Sequence, residues 1–245
     1  MRLFRKKTPP PASTDAAVRE RIAAEYLRGS GLEIGALHSP MHVPTDVRVV
    51  YVDRLSVEEL RRHYPELADR PIVAPDIIAD GQTLAPVGDG TQDFVIASHF
   101  LEHCENPILA LCHMLRVLRP GGVVFLAVPD KRRTFDAARP VTPLNHLWRD
   151  FEDGPQVSRR DHYLEWAALV DKLPPQAAAE EAAHYMNIGY SIHFHVWRPH
   201  DVLELLLSVR SRLALPFQIE RFELNGGEVI AVLRKEADAP GDSDC

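Results

Sequence analysis

Short apolar runs alternate with helical patterns along the first half of the chain. Gly31-Leu-Glu-Ile-Gly35 predicts a short buried strand, Val47 to Val52 a second ending at Asp53, and Asp76-Ile-Ile-Ala-Asp80 a third. Asp93-Phe-Val-Ile-Ala-Ser98 predicts a fourth, apolar on both faces as a central parallel strand must be, and Val123 to Val128 a fifth. Between the strands, Ser56 with Glu59 three residues later is a capping-box signature for a helix running to about His63. Pro107 behind Asn106 opens another helix, with Ile108, Leu111, Cys112, Leu115 and Leu118 at helical spacing until Arg119-Pro-Gly-Gly122 stops it.

Strands alternating with helices at this pitch imply crossover connections, hence a parallel sheet covered on both faces. The last third reads differently. A helix from about Pro199 carries Val202, Leu203, Leu206, Leu207 and Leu213; Phe217 to Leu224 and Glu228 to Leu233 then form two strands joined by the tight turn Asn225-Gly-Gly227. A hairpin ending a parallel sheet makes the final strand antiparallel.

Composition limits what such a domain can be. With 245 residues, 45% of them hydrophobic, one full core is expected, as a single domain over residues 17–235. The basic, Pro-rich residues 1–16 and the acidic residues 236–245 read as disordered tails. A formal charge of −7 argues against nucleic acid as a partner, which needs a Lys/Arg excess. Cys104, Cys112 and Cys245 are too few for a disulfide framework and are not spaced as a zinc site, which fits a reducing cytoplasm. Thr8-Pro-Pro-Pro11 stands where a secretion signal would need apolar residues, and no window is apolar enough for a membrane span.

In open α/β sheets ligands sit at the carboxyl ends of the strands, so the strand-closing residues are the first candidates: Glu33-Ile-Gly35, Asp53, Asp80-Gly81 and Ser98-His99. This ordered set resembles the class I S-adenosylmethionine-dependent methyltransferases. Their first strand ends in an acid and glycine, their second in an acid for the ribose hydroxyls, and their third is followed by an acid for the adenine amino group. Asp93 to His103 resembles their fourth-strand motif, Leu118 to Gly122 the turn before strand five, and the terminal hairpin their antiparallel seventh strand. The resemblance covers residues 30–130 and 199–234. It implies a Rossmann-like α/β fold with a mostly parallel seven-stranded sheet, and S-adenosyl-L-methionine as cofactor, held by Glu33, Gly35, Ala36, Asp53, Asp80, Gly81, Ser98 and His99. The chemistry agrees: an ammonium, a ribose diol and an adenine amine call for carboxylates in that order, and Gly35 lets backbone approach the ligand.

One departure from the family pattern stands out. Gly35 is followed by Ala36-Leu-His-Ser-Pro40 rather than by further glycines, leaving little room for the usual first helix. This loop is similar to that of type 11-like bacterial methyltransferases associated with surface-glycan assembly.

The stretch from residue 133 to residue 197 is too long for an ordinary connection and reads as a helical insertion over the strand ends, an acceptor-binding lid. It holds Trp148, Trp166 and Trp197 and five histidines. The first two tryptophans read as core of the insertion, Trp197 as a ring that could stack on a sugar. His193 and His195 alternate on an extended segment, which predicts imidazoles on one face; either could take the proton of an acceptor hydroxyl, and His146 is a third candidate. The expected acceptor is a small molecule or saccharide. His99, Glu102 and His103 resemble the Glu-x-x-Glu-His metal motif of quinone O-methyltransferases, but a helix-start acid and a packed histidine account for them, and no metal is assigned. Two alternatives remain: a donor-binding module without turnover, for which the altered first loop speaks, and a nicotinamide oxidoreductase, whose Gly-x-Gly-x-x-Gly fingerprint is missing.

Overall fold

The computed structural model describes residues 14–67 and 69–237. Five strands run parallel: β1 (Ser30–Ile34), β2 (Arg48–Asp53), β3 (Ile77–Ile78), β4 (Gln92–Ser98) and β5 (Leu118–Pro129). The hairpin β6 (Phe217–Asn225) and β7 (Glu228–Lys235) completes the sheet in the order β3-β2-β1-β4-β5-β7-β6. β7 inserts between β5 and β6 and runs antiparallel to both. Strand order reverses at β1, which pairs with β2 on one side and β4 on the other, so a crevice opens there at the carboxyl ends.

Helices cover both faces, as continuous apolar strands require. On one face, α3 (Pro107–Val117) and α7 (Pro199–Arg212) set Ile108, Leu111, Leu205 and Leu206 against Leu32, Ile34, Val95 and Leu126. α3 starts where expected, with the Asn106 side chain accepting from the Leu109 N–H. On the other face, α1 (Thr14–Tyr26) and the residue that follows it lay Ile22, Ala23 and Leu27 over Phe94, Ile96 and Phe125. Residues 14–16, expected in the N-terminal tail, belong to this helix; the rest of that tail and the C-terminal tail from residue 238 lie outside the described residues. α2 (Val57–His63) carries the predicted capping box between Ser56 and Glu59.

After β5 the chain forms α4 (Leu144–Asp153), α5 (Arg159–Leu169) and α6 (Pro175–Ile188), then returns through an extended segment to Trp197. α5, α6 and that segment share a small core of Tyr163, Trp166, Ala182, Ile192 and Phe194. Trp148 packs into the main core, its indole donating to Ser208 Oγ at 3.0 Å. Trp197 is only 1% exposed and stacks on His195, so the sugar-stacking surface expected of it does not exist. No described helix is long and apolar enough to cross a membrane.

Candidate active site

A cleft of about 210 Å³, partly open to solvent, lies at the carboxyl ends of β1, β2, β3 and β4. The strand ends supply Gly35, Asp53, Asp80, Gly81 and His99 as its floor and wall. The insertion supplies the opposite side through Tyr163, Gly189, Tyr190, Ser191 and Phe194.

Each strand-end residue is held by local geometry. Gly35 has φ +66°, where a side chain would be strained, and its amide donates to the Val52 carbonyl at 2.9 Å. Gly81 is required for space: a Cβ there would come within 2.5 Å of Ile34 and 2.8 Å of Phe100. Asp53 accepts from the Leu55 N–H at 3.3 Å, and burial pushes its carboxyl above the usual range. Asp80 accepts from the Gln82 N–H at 2.8 Å, so it also shapes the turn after β3.

Glu33 lies on the other face of β1. It is buried, Oε1 accepts from the Met41 N–H at 2.8 Å, Oε2 has no hydrogen-bond partner, and burial pushes its pKa up to about 7. The loop after Gly35 folds back over it without a helix: Ser39 N–H donates to Ala36 O, and Leu37 takes φ 49°. Glu33, Ala36 and Ser98 are thus neighbours of the cleft rather than part of its lining.

His99, at φ 50° just past β4, is a half-exposed partner of the buried Glu228. Its Nε2 stands 2.7 Å from Glu228 Oε2, while Arg19 and Asn225 bind the same carboxylate. Burial alone would hold His99 neutral; the hydrogen bond to Glu228 and the charge of Glu102 outweigh it, and the net shift is upward. Burial pushes Glu228 up, but hydrogen bonds from Arg19, His99 and Asn225 bring it down to about 2.

His103 also lines the cleft. Its Nδ1 donates to the Ile192 carbonyl at 2.9 Å, and burial lowers its pKa to about 3. The candidate metal motif His99, Glu102 and His103 does not converge as one set: His99 Nδ1 stands 3.8 Å from Glu102 Oε1, but Glu102 and His103 meet His193 instead.

The three histidines expected as bases are not brought to this cleft. His193 is buried, its Nδ1 2.7 Å from Asp136 Oδ2, inside a network with Arg139. His195 has no exposure, burial holding its pKa near 3, and it sits with His146 and His162 around Asp150. The expected common face fails because residues 190–196 join no sheet: without a strand ladder, alternate side chains enter two separate clusters.

Among the cleft residues that sequence patterns do not single out for the donor or acceptor are Arg54, Tyr64, Phe100, Tyr163 and Tyr190, and His103 enters there only as a candidate metal ligand. Arg54 follows Asp53 directly, and Phe100 and His103 lie in the strand-four motif, so position alone was a signal for them. No periodicity marked the tyrosines.

Residues 29–126 match the methyltransferase domain family. The chain is 35% identical over 104 residues to an uncharacterized 37.1 kDa protein in transposon TN4556 of Streptomyces fradiae; this covers 42% of the chain but only 28% of that relative. A solved complex between the Haloferax volcanii Trm112 methyltransferase activator and a candidate methyltransferase contains a chain that aligns with a TM-score of 0.50 at 11% identity, covering 91% of this chain and 90% of that one. A candidate Zn-dependent alcohol dehydrogenase from Rhodobacter sphaeroides aligns with the same TM-score at 14% identity, covering 93% and 92%. At such identities the likeness is one of fold.

Proposed function

We propose that the chain is a class I S-adenosylmethionine-dependent methyltransferase that methylates a hydroxyl of a sugar or another small molecule in the cleft between the strand ends and the insertion. The observation that carries this reading is the convergence of Gly35, Asp53, Asp80 and His99, from four separate strand ends, on one cleft roofed by insertion residues. Two alternatives weaken accordingly: the nicotinamide fingerprint is missing from the β1 turn, and a pure binding module would not need a poised histidine at the cleft wall.

The residues fit the cofactor. Asp53 suits the ribose hydroxyls, Asp80 the adenine amine, and Gly35 a close backbone approach, while the orphaned Glu33 Oε2 is a buried acceptor two residues before Gly35. When bound, S-adenosylmethionine supplies an electrophilic methyl group on a sulfonium.

The chain's own contribution is positioning and proton removal. His99 replaces His193, His195 and His146 as the proposed base. Glu228 holds the His99 Nε2–H, which leaves Nδ1, 3.8 Å from the buried Glu102 Oε1, as the nitrogen that accepts the acceptor hydroxyl's proton. Tyr163, Tyr190 and Phe194 offer the aromatic and polar surface that a saccharide needs, the role Trp197 cannot take.

Calorimetry with S-adenosylmethionine, followed by mass spectrometry of a copurified acceptor, tests the reading. Donor binding and an acceptor gaining a methyl on oxygen support it. No donor binding by the intact chain sinks it, and donor binding without transfer to any acceptor supports the binding module.

A further inference from the structure

A second cluster of chemistry lies in the insertion, and none of its members lines the cleft. α4 presents His146 and Asp150 one turn apart on one face, α5 presents His162, and the segment entering α7 presents His195. One ligand atom from each of the four lies within 4.8 Å of every other.

We propose that His146, Asp150, His162 and His195 form a tetrahedral zinc site that pins the insertion together. Zinc holds imidazole nitrogen at about 2.0–2.1 Å, so neighbouring ligand atoms of a tetrahedron stand about 3.3–3.4 Å apart. The cluster brackets that spacing. His146 Nε2 lies 3.0 Å from His162 Nε2 and 3.0 Å from Asp150 Oδ2, while His195 Nε2 and His162 Nε2 lie 3.8 and 3.9 Å from the same oxygen. A cation at the centre satisfies all four groups with small shifts.

Without a cation the cluster is poorly satisfied. Asp150 is fully buried; its Oδ1 accepts from Ser158 Oγ at 2.6 Å, but Oδ2 takes no good hydrogen bond. His195 is equally buried, with Nε2 turned toward the same Asp150 oxygen. Two imidazole nitrogens meeting at 3.0 Å can form only one hydrogen bond between them, whereas both lone pairs can face a metal. Three nitrogens and one carboxylate oxygen select zinc over magnesium or calcium, which prefer all-oxygen shells. Two contacts must yield: the exposed Arg149, 2.9 Å from His146 Nδ1, swings into solvent, and His195 Nε2 gives up the Glu105 carbonyl at 3.3 Å.

Four protein ligands close the coordination sphere, so the role is structural. The site ties α4, α5 and the segment carrying Phe194, a wall of the cleft, into one unit. This holds whether or not the cleft binds a methyl donor.

Elemental analysis of the full chain, expressed with zinc in the medium and dialysed without chelator, tests the proposal. About one zinc per chain is expected, with a thermal midpoint that falls on chelation and returns with zinc but not with magnesium. H162Q and D150N should lose the metal, while H184Q, at an exposed histidine of α6, should keep it. If the first two variants do not fold, the stripped wild-type chain decides: cobalt(II) must give the visible absorption of a tetrahedral site. Wild-type chain free of zinc and unmoved in melting by added zinc overturns the proposal, as does full zinc retention in folded H162Q and D150N. Donor calorimetry on the same samples reports separately on the cleft.

Discussion

The Nε2 of His99 and the Oε2 of Glu228, residues from the end of β4 and the start of β7, stand 2.7 Å apart at the wall of the cleft. A carboxylate that fixes one imidazole nitrogen leaves the other to take a proton, and it raises the pKa at which that nitrogen loses one. The neutral imidazole is the working base, so methyl transfer should rise with pH through the raised His99 pKa and level off above it. His99→Ala should cost about 10²–10⁴ in kcat with donor affinity near normal. Glu228→Gln should move the acid limb of the pH profile downward. An unchanged pH profile in both variants would place the base elsewhere.

Asp53→Ala should weaken donor binding by about 10- to 100-fold, the worth of hydrogen bonds to a charged acceptor, with little change in thermal midpoint. Isothermal calorimetry with S-adenosylmethionine measures it. Equal affinity in mutant and wild type would remove Asp53 from the donor site.

Glu33 predicts a stability profile that runs against the common acid case. Its folded pKa of about 7 lies above the ordinary 4.5, so between these values the folded state binds the extra proton. Its contribution is therefore present in full below about pH 4.5 and is lost as pH rises to about 7, a change on the order of 3 kcal/mol. Glu33→Gln should remove this slope and be the more stable protein at pH 8, read by urea unfolding at several pH values. If Glu33 also meets the donor's ammonium, the same variant loses donor affinity.

Gly81→Ala should destabilise the fold by about 1–3 kcal/mol, because the new methyl must displace Phe100 and Ile34. The shift of Phe100 also narrows the cleft, so donor affinity should fall in the same variant. Chemical denaturation and calorimetry on one preparation separate the two effects.

Acid should spare the Glu228 cluster longer than most carboxylates. With a folded pKa near 2, its stabilisation is complete above the usual 4.5 and is lost only as pH falls toward 2. Glu228→Gln should therefore unfold at a higher pH than wild type in an acid titration followed by circular dichroism.

Much of this protein was legible before any coordinates. Strand ends, the Ser56 to Glu59 box, the Asn106-Pro107 helix start and the Asn225-Gly-Gly227 hairpin are set by local rules of periodicity, capping and turn chemistry, which act within a few residues. From them came the parallel sheet, its reversed strand and the acids at the carboxyl ends. The insertion obeyed no such rule. His193 and His195 sit two residues apart and enter different clusters, because their segment gains its shape from packing against α5, α6 and the Glu102 carbonyl rather than from a sheet. The pairing of His99 with Glu228 spans more than half of the chain, and His146 meets His195 only after α5 and α6 have folded between them. Local chemistry determined which residues end the strands; only the tertiary structure decided which histidines face the cleft and which face one another, since that choice rests on contacts between segments whose separation in sequence carries no periodic trace.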